Sequence, residues 1–532
     1  MLERQNPHKI ESIVIVGGGT AGWLSAAYLS KALKAGKDNN CNITLIESPD
    51  IPTVRIGEAT IPTIVNTFKF LGISEAEWMA KCNATFKLGI KFVNWSGLPG
   101  KDVFWHPIAQ WLFTQKTDTT ILHYWLKTKF QGNTESLYSS CFETVSLCEA
   151  KKSPKFPDEP EYAWRAEYAY HFDAELAATF LREKAKSQGV KQILDNVMEV
   201  SLDSRGFISH LVTEKQGTIS GDLFIDCSGF RGLLINQALQ EPFISYSDYL
   251  FCDSAITMSI PYDKDDTYNQ NHEGINPYTT ATALSSGWTW NIPLILRTSY
   301  GYVYSSHFIS QEEAEAEFIK HLNGYSHQAR HLKIRVGRTR NSWVNNCISI
   351  GLSSGFIEPL ESTGIYLIEA ALNHLIHNFP NRLFHPKVIE NYNQIMQKEY
   401  EEIRDFIIMH YCLSKREDSP FWRANKHHSA IPDSLKEKLE LWKAMWPYNT
   451  KEIVGLSFPD YSYICILAGM GCFPKSSLPI LDYQDSVEQM LSDVKHEAEK
   501  LKGALPNHGD YLKQLYVKTL ETNKDLSTAL QM

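Results

Sequence analysis

A glycine-rich turn near the start of the chain constrains the fold more than any other feature. Residues 17–22 read GGGTAG; they follow a β-branched run, Ile13 to Val16, and precede an apolar stretch at helical spacing, Trp23 to Ala35. A second β-branched run, Ile43 to Ile46, ends at Glu47. A strand, a glycine turn, a helix and a second strand that ends in an acid form the βαβ unit that binds a dinucleotide.

The glycines of this turn have separate physical roles. Gly17 permits the tight turn, Gly19 lets the backbone approach a pyrophosphate, and Gly22 lets helix and strand pack closely. The first amides of the helix then face the phosphates, and the acid after the second strand can accept hydrogen bonds from a ribose. The pattern alone does not distinguish FAD from NAD. We predict cofactor contacts at Gly17, Gly18, Gly19, Thr20, Ala21, Gly22 and Glu47.

Composition excludes several other classes of protein. The 532 residues are 43% hydrophobic, which is enough for a large core, and carry a net charge of -9 with no Lys/Arg block, so we expect no nucleic-acid partner. The ten cysteines form no CxxC pair, so we expect no metal site. The first nine residues are polar, and no apolar run approaches the roughly 20 residues of a membrane span. We expect a cytoplasmic protein without membrane contact.

Three sequence segments together indicate a known family. The first is GGGTAGW at 17–23, the second is GWTWNIP at 287–293, and the third is GFIEPLESTGIY at 355–366. By itself, a pair of tryptophans two residues apart on a strand usually indicates core packing. Taken together, the segments resemble the signature of flavin-dependent tryptophan halogenases, and the resemblance spans residues 10 to about 475. The tryptophan motif comprises Trp288, Trp290, Ile292 and Pro293.

The resemblance implies a reaction that uses FAD, O₂ and a halide ion. Members of the family take FADH2 from a separate flavin reductase, and O₂ converts it into a flavin hydroperoxide. Chloride or bromide attacks this hydroperoxide, and the resulting hypohalous acid passes through an internal tunnel to an electron-rich aromatic substrate. The tryptophan motif is thought to keep the substrate away from the flavin. The protein supplies separation, orientation and electrostatics for chemistry that belongs to the cofactor.

The resemblance also assigns two catalytic residues. Lys87 matches the family's essential lysine, whose ammonium donates a hydrogen bond to hypohalous acid or whose amine becomes a haloamine; Lys91 is the confusable neighbour. Glu361 matches the essential glutamate, which stabilises the cationic ring and takes its proton, with Glu358 as the alternative acid. Backbone amides hold the halide in the family. We carry that role to Ser362, Thr363 and Gly364.

Further positions follow from the same resemblance. It implies FAD contacts at Ala59, Val197, Leu352 and Ile365, and substrate contacts at His106, Ile108 and Tyr463. Ile108 stands where tryptophan-binding members often have an aromatic, and the region from 461 to 474 shows no clear counterpart of the aromatic pair and acid that clamp tryptophan in some members. We therefore expect an indole-type ring, with free indole and bromide as favoured candidates; another aromatic or a carrier-bound one is the alternative.

The predicted fold class is α/β. We expect a Rossmann-like FAD-binding core of the flavin monooxygenase and halogenase type, with an inserted and C-terminal, mostly helical substrate module. The FAD-binding module comprises residues 1–85 and 190–390, and the substrate module 86–189 and 391–532. An NAD(P)H-dependent flavin aromatic hydroxylase and a non-catalytic flavin-binding protein are the alternative functions. The sequence leaves both a monomer and a homodimer open.

Overall fold

The computed structural model describes most of the chain. The described residues are 7–35, 41–51, 56–98, 103–109, 120–262, 275–325, 328–448, 458–483 and 488–522. Within these ranges, no helix combines the length and the apolar character that crossing a bilayer requires. The same ranges contain no group of three or more His, Cys, Asp or Glu side chains arranged to hold a metal ion.

All strands of the described residues lie before residue 357. In chain order they are β1 (Ser12–Val16), β2 (Asn42–Glu47), β3 (Gly57–Ala59), β4 (Thr85–Lys87), β5 (Gly89–Val93), β6 (Val103–Pro107), β7 (Ala169–Asp173), β8 (Lys191–Leu194), β9 (Val197–Leu202), β10 (Ile208–Thr213), β11 (Gly217–Ser220), β12 (Leu223–Asp226), β13 (Phe243–Ser245), β14 (Ser254–Pro261), β15 (Thr279–Ala283), β16 (Gly287–Pro293), β17 (Arg297–Tyr304), β18 (Arg330–Lys333), β19 (Gly337–Thr339), β20 (Trp343–Val344), β21 (Cys347–Ser349) and β22 (Gly355–Phe356).

Helices dominate the described residues after 360. In chain order the α-helices are α1 (Thr20–Ala32), α2 (Thr63–Leu71), α3 (Glu75–Lys81), α4 (Thr120–Phe130), α5 (Leu137–Cys141), α6 (Glu143–Glu149), α7 (Ala174–Ser187), α8 (Gln311–His321), α9 (Thr363–His377), α10 (Pro386–Cys412), α11 (Pro420–Lys426), α12 (Asp433–Ala444), α13 (Asp460–Gly469), α14 (Glu488–Ala504) and α15 (His508–Thr522). Two 3₁₀ turns, Gly351–Ser353 and Pro359–Glu361, precede α9.

The nucleotide sheet contains six strands in the order β20-β21-β12-β1-β2-β8. All of its neighbouring pairs are parallel except β20 with β21. The buried residues of β1 and β2 are all apolar, because both faces of a parallel sheet are covered. Helix α1 connects β1 to β2, which are neighbours in the sheet. This arrangement confirms the βαβ unit that the glycine turn predicts.

The large sheet contains seven strands in the order β18-β14-β17-β16-β15-β5-β6. Side chains alternate across it, so Trp288, Trp290 and Ile292 of β16 lie on the same face and are buried. Strand β5 pairs in parallel with β15, and β6 pairs antiparallel with β5. The sheet therefore takes strands from both of the modules predicted from the sequence, and that division stays a prediction.

A third, small sheet contains three strands in the order β3-β7-β4, and β3 lies against β16 and β17 of the large sheet. Lys87 is the last residue of β4 and pairs with Ala169 of β7. Asp173, which ends β7, caps α7 by accepting from the amides of Glu175 and Leu176. Helix α7 therefore begins at a side-chain cap that is also the last residue of β7. The mixed α/β class with a helical C-terminal region is confirmed.

Candidate active site

The glycine turn has the geometry of a dinucleotide cradle. Gly17 has φ 118°, in the left-handed region, and a Cβ there would lie 2.2 Å from the carbonyl oxygen of Cys227. A Cβ at Gly22 would lie 1.8 Å from the carbonyl oxygen of Gly17. Only glycine satisfies both positions, because one needs positive φ and the other needs close contact between helix and strand. The predicted roles of these two glycines match the structure.

The N-terminus of α1 is open to a ligand. Gly19 is its N-cap, so no side chain caps the first amides, and a Cβ at Gly19 would meet nothing within 4 Å. Glu47 ends β2, packs against Gly18, and accepts from Gln192 through Oε2 at 2.9 Å. Uncapped amides at a helix N-terminus favour phosphate. These residues fit the pyrophosphate and ribose of a dinucleotide such as FAD.

The other predicted cofactor residues divide into two groups. The 3₁₀ turn containing Leu352 approaches α1 closely, since a Cβ at Gly351 would lie 2.7 Å from the Cβ of Ala21. Ile365 and Thr20 line the same small cavity. The structure thus brings Thr20, Ala21, Leu352 and Ile365 together. Their partners in the prediction, Ala59 and Val197, lie in β3 and at the start of β9 respectively.

Lys87 is a buried lysine with its amine in a fixed position. Its side chain is 2% exposed, and Nζ donates to the carbonyl oxygen of Thr60 at 2.9 Å and to Oγ of Ser362 at 2.8 Å. Burial lowers the pKa of Lys87 to about 7, while the charge of Glu361 acts in the opposite direction. Lys91, in contrast, is only partly buried and lies near the rings of Trp105 and Tyr278.

The segment predicted to hold halide is the N-terminus of α9. Ser362 is the N-cap with φ 62°, but its side chain makes no cap bond and instead accepts from Lys87. Thr363 and Gly364 are the first two residues of the helix, and the buried Oγ1 of Thr363 has no hydrogen-bond partner among the described residues. Uncapped amides beside an orphaned hydroxyl and a lysine amine suit a small anion.

Glu361 is a fully enclosed carboxylate held between two imidazoles. Oε2 lies 2.7 Å from Nδ1 of His106, and Oε1 lies 2.9 Å from Nε2 of His410. Burial acts to raise the pKa of Glu361, but the charges and hydrogen bonds of the two histidines prevail and lower it to about 2. The carboxylate therefore stays ionised at neutral pH although only 1% of the residue is exposed.

His410 is a site residue that the sequence did not reveal. Its Nδ1 lies 2.8 Å from the carbonyl oxygen of Phe406, which only accepts, so Nδ1 carries a hydrogen. A second hydrogen must lie between Nε2 and Glu361, because a lone pair facing a carboxylate is repulsive. Nε2 of His410 and Oε1 of Glu361 therefore share one hydrogen across this contact. A histidine inside the long amphipathic helix α10 carries no sequence signal for this role.

Glu358, three residues before Glu361, lies in the opposite electrostatic environment. Its Oε2 accepts from Nε1 of Trp288 at 3.0 Å and from the hydroxyl of Tyr411 at 2.5 Å, while the buried Oε1 has no partner among the described residues. Burial raises the pKa of Glu358 to about 7, and the two hydrogen bonds lower it only in part. The carboxyl group of Glu361 is thus ionised at neutral pH, whereas that of Glu358 keeps its proton up to about pH 7, and the two acids can therefore have different roles.

The tryptophan motif connects several parts of the site. Besides the bond from Trp288 to Glu358, the carbonyl oxygen of Pro293 accepts from Oγ1 of Thr85 at 2.7 Å, two residues before Lys87. Trp290 covers Gly301, where a Cβ would lie 2.0 Å from its ring. Ile292 packs near Gly57 at the start of β3. The motif is therefore core packing that also fixes the strand of Lys87, and its role in keeping the substrate away from the flavin stays a prediction.

The predicted substrate residues lie around Glu361. His106 uses Nε2 to contact Oγ of Ser462 at 2.8 Å, and Ile108 follows it with its amide donating to the carbonyl oxygen of Leu88. Tyr463 packs against Phe406, whose ring also contacts those of His106 and His410. The structure thus places His106 against the carboxylate and Tyr463 one ring away from His106, across Phe406, while Ile108 contacts Leu88. Ser462 was not predicted.

The fold and the site define a class: a dinucleotide-binding α/β enzyme with a buried amine, an anion-binding helix terminus and a charged carboxylate at one point. The sequence model of the family described as "Tryptophan halogenase" matches residues 12–486. Tryptophan 6-halogenase ThaL of Streptomyces albogriseolus is 41% identical, covering 96% of this chain and 99% of that protein. Tryptophan 7-halogenase RebH of Lentzea aerocolonigenes is 39% identical, covering 95% and 99%.

Solved structures agree with these relatives. The crystal structure of tryptophan 6-halogenase SttH from Streptomyces toxytricini has a TM-score of 0.86 and 41% identity, covering 94% of this chain and 99% of that one. A flavin-dependent halogenase from Brevundimonas sp. BAL3, BrvH, has a TM-score of 0.84 and 35% identity, covering 95% and 99%. The chain is therefore an enzyme of the flavin-dependent tryptophan halogenase family.

Proposed function

We propose that this enzyme uses FADH2 and O₂ to install chlorine or bromine on the indole ring of tryptophan. The observation that carries the proposal is the contact between Nζ of Lys87 and Oγ of Ser362, which joins the amine to the anion-binding end of α9. Glu361 precedes Ser362 directly, so the group that delivers halogen and the group that stabilises the ring cation flank one point. A separate flavin reductase supplies the FADH2.

The relatives support tryptophan as the substrate. Those with about 40% identity over nearly the whole chain are named as tryptophan 6- or 7-halogenases. This replaces the free indole that the sequence led us to favour. The region from 461 to 474, in which we found no clear counterpart of the tryptophan clamp, comprises most of α13 and the residues that follow it. The preference for bromide or chloride is measured in the experiment below.

The geometry of Lys87 supports delivery through the neutral amine. Bound reduced FAD, with O₂, supplies the oxidising equivalent that converts halide into hypohalous acid. A neutral amine has two N–H donors and one lone pair; Thr60 and Ser362 take the two donors. The lone pair of Lys87 attacks the halogen of hypohalous acid, and hydroxide leaves. The hydroxide then takes a proton from the nitrogen, which gives water and the haloamine. Burial favours the neutral form that this step needs.

Glu361 then acts on the ring. As halogen passes from the nitrogen of Lys87 to a ring carbon, a proton from solvent returns to the nitrogen, so the amine is regenerated and the indole is left with a positive charge. A buried carboxylate stabilises that charge strongly because little water screens it. The ring proton must then leave to a base. Both oxygens of Glu361 contact imidazoles, so the proton passes to the carboxylate as one of these contacts lengthens. His106 and His410 hold the carboxylate ready for this transfer.

A product assay tests the proposal. The purified enzyme is incubated with FAD, a flavin reductase, NADH and either chloride or bromide, with L-tryptophan, free indole and an unrelated phenol as separate substrates. Mass spectrometry reads the halogen isotope pattern of each product. We expect halogenated tryptophan as the main product. Halogenated indole with unreacted tryptophan would overturn the substrate assignment, and no halogenated product from any ring would overturn the function.

A second measurement distinguishes a halogenase from the alternative, an NAD(P)H-dependent hydroxylase. An NAD(P)H-dependent flavin hydroxylase oxidises NADPH directly, whereas a halogenase depends on the reductase. We expect no NADPH oxidation when the purified protein and FAD are mixed without reductase. A non-catalytic flavin-binding protein would bind FAD and give neither halogenated product nor NADPH oxidation.

A further inference from the structure

Each of the three residues of strand β4, which ends at Lys87, forms a hydrogen bond with a different part of the chain. Thr85 donates through Oγ1 to Pro293 of the tryptophan motif. The backbone N–H of Phe86 donates to Nε2 of His508 at 3.2 Å, across 422 positions of sequence. Lys87 itself contacts Thr60 and Ser362. Of these attachments, only the one to His508 comes from the C-terminal helix α15.

The partners of His508 fix its protonation and its tautomer. Nδ1 lies 2.8 Å from the carbonyl oxygen of Ile275, which only accepts, so Nδ1 carries the hydrogen. The N–H of Phe86 only donates, so Nε2 must present a lone pair. The ring is therefore a neutral imidazole of one tautomer. Full burial, which lowers the pKa of His508 to about 4, agrees with this assignment.

The N–H of Phe86 needs this acceptor because β4 is an edge strand. In its sheet, β4 pairs with β7 alone, and Phe86 lies opposite Tyr170. The outward N–H is enclosed by protein, and a buried donor without a partner is unfavourable. His508 therefore completes the hydrogen bonding of the strand one residue before the amine. Its ring also lies 5.9 Å from that of Phe86.

Helix α15 holds His508 firmly in place. The amide of His508 donates to the carbonyl oxygen of Lys151 at 2.8 Å, and this bond fixes the start of the helix. The hydroxyl of Tyr516 donates to the carbonyl oxygen of Met79 at 2.8 Å, which anchors the later part of the helix on α3 and does not hold His508 itself. Tyr511 packs against Phe86 with ring centroids 5.3 Å apart. The helix thus lies against both the strand of Lys87 and the helix α3 that leads into it.

We propose that His508 is a positioning residue for Lys87: its neutral imidazole accepts the N–H of Phe86 and so fixes the backbone from which the halogen-delivering amine projects. The C-terminal helix is then part of the delivery apparatus. This inference rests on the proposed role of Lys87. Errors of about 1 Å in the placement of a reacting group cost on the order of 100-fold in rate, so a loosened strand lowers transfer of halogen to the substrate.

Two substitutions of His508 test the bond that accepts from Phe86 separately from the bond that donates to Ile275. In His508→Asn the amide nitrogen sits where Nδ1 was and keeps the bond to Ile275, but nothing reaches Phe86. In His508→Gln the longer side chain places its oxygen near the position of Nε2. We expect His508→Asn to lower halogenated product per FADH2 oxidised at least tenfold with the KM for substrate within twofold, and His508→Gln to restore most of it. Amide hydrogen exchange at Phe86 should accelerate only in His508→Asn.

Tyr516→Phe is the matched control, because it removes another buried bond of the same helix without touching β4. We expect normal product yield from it. Wild-type yield in a folded His508→Asn variant overturns the inference, and so does an equal loss in all three variants. If His508→Asn does not fold, His508→Gln decides: normal yield and normal protection of Phe86 support the inference, and low yield with intact protection overturns it. Failure of the wild type to halogenate would instead count against the proposed function.

Discussion

Lys87 and Ser362 lie 275 positions apart in sequence, yet Nζ of the lysine donates to Oγ of the serine over 2.8 Å. The contact brings the end of an edge strand against the first turn of α9. Glu361 lies on one side of Ser362 and the uncapped amides of Thr363 and Gly364 on the other. An amine, a carboxylate and the uncapped N-terminus of a helix therefore share one buried point.

The pKa of Lys87 predicts the pH dependence of halogen transfer. The pKa is lowered to about 7, so the neutral amine becomes the main form as pH rises from 6 to 8. We expect halogenated product per FADH2 oxidised to rise over this range with a midpoint near 7. Lys87→Arg keeps N–H donors and the charge but does not deprotonate, and it should give no product. Activity in Lys87→Arg, or a yield that falls above pH 7, would show that the ammonium donates a hydrogen bond instead.

Glu361→Gln removes the charge that stabilises the ring cation while keeping the size of the side chain. We expect kcat to fall by about 10²-fold or more, with a smaller change in KM, because the interaction acts mainly in the transition state. Steady-state product formation under excess reductase measures both constants. Turnover equal to wild type would assign Glu361 a structural role, such as holding His106 and His410 apart.

We expect Glu358 to affect the stability of the folded enzyme and not to stabilise the ring cation. Its pKa is raised to about 7, so between pH 4.5 and 7 the unfolded chain loses this proton while the folded enzyme retains it. The free energy of unfolding therefore falls with rising pH across that window. We expect Glu358→Gln, which is always neutral, to match wild type near pH 4 and to exceed it at pH 8 by on the order of 3 kcal/mol in urea denaturation.

Glu361→Gln is the control for that measurement because its effect has the opposite sign. The pKa of Glu361 is lowered to about 2, so its contribution to stability is complete above about pH 4.5 and is lost as pH falls toward 2. The free energy of unfolding of Glu361→Gln should not show this decrease as the pH is lowered. A difference between Glu358→Gln and wild type that does not change with pH would mean that Glu358 is ionised in the folded enzyme.

The sequence predicts those parts of the structure that depend on local spacing. The glycine turn, the β-branched runs on each side of it and the helix that follows it come from a pattern of about 35 residues. Motif resemblance then selects Lys87 over Lys91 and Glu361 over Glu358, and the environments of the four side chains agree with that selection. Their catalytic roles stay predictions until the variants are measured.

The remaining features depend on contacts that no local pattern encodes. His410 lies 49 positions from Glu361, Tyr411 lies 53 from Glu358, and His508 lies 422 from Phe86. Each is a polar residue on a helix whose apolar spacing predicts burial but not a partner. Their importance follows from the folded arrangement, because a buried donor or acceptor has to be paired by whatever element packs against it.

Lys87→Ala, assayed beside Lys91→Ala, tests the central claim most directly. Both variants are given FADH2, O₂ and bromide with tryptophan, and both halogenated product and free hypohalous acid, trapped by a small thiol, are measured. We predict that Lys87→Ala forms no halogenated tryptophan while FADH2 oxidation continues and trapped hypohalous acid rises, whereas Lys91→Ala halogenates normally. Halogenated tryptophan at the wild-type rate from a folded Lys87→Ala enzyme would contradict the account.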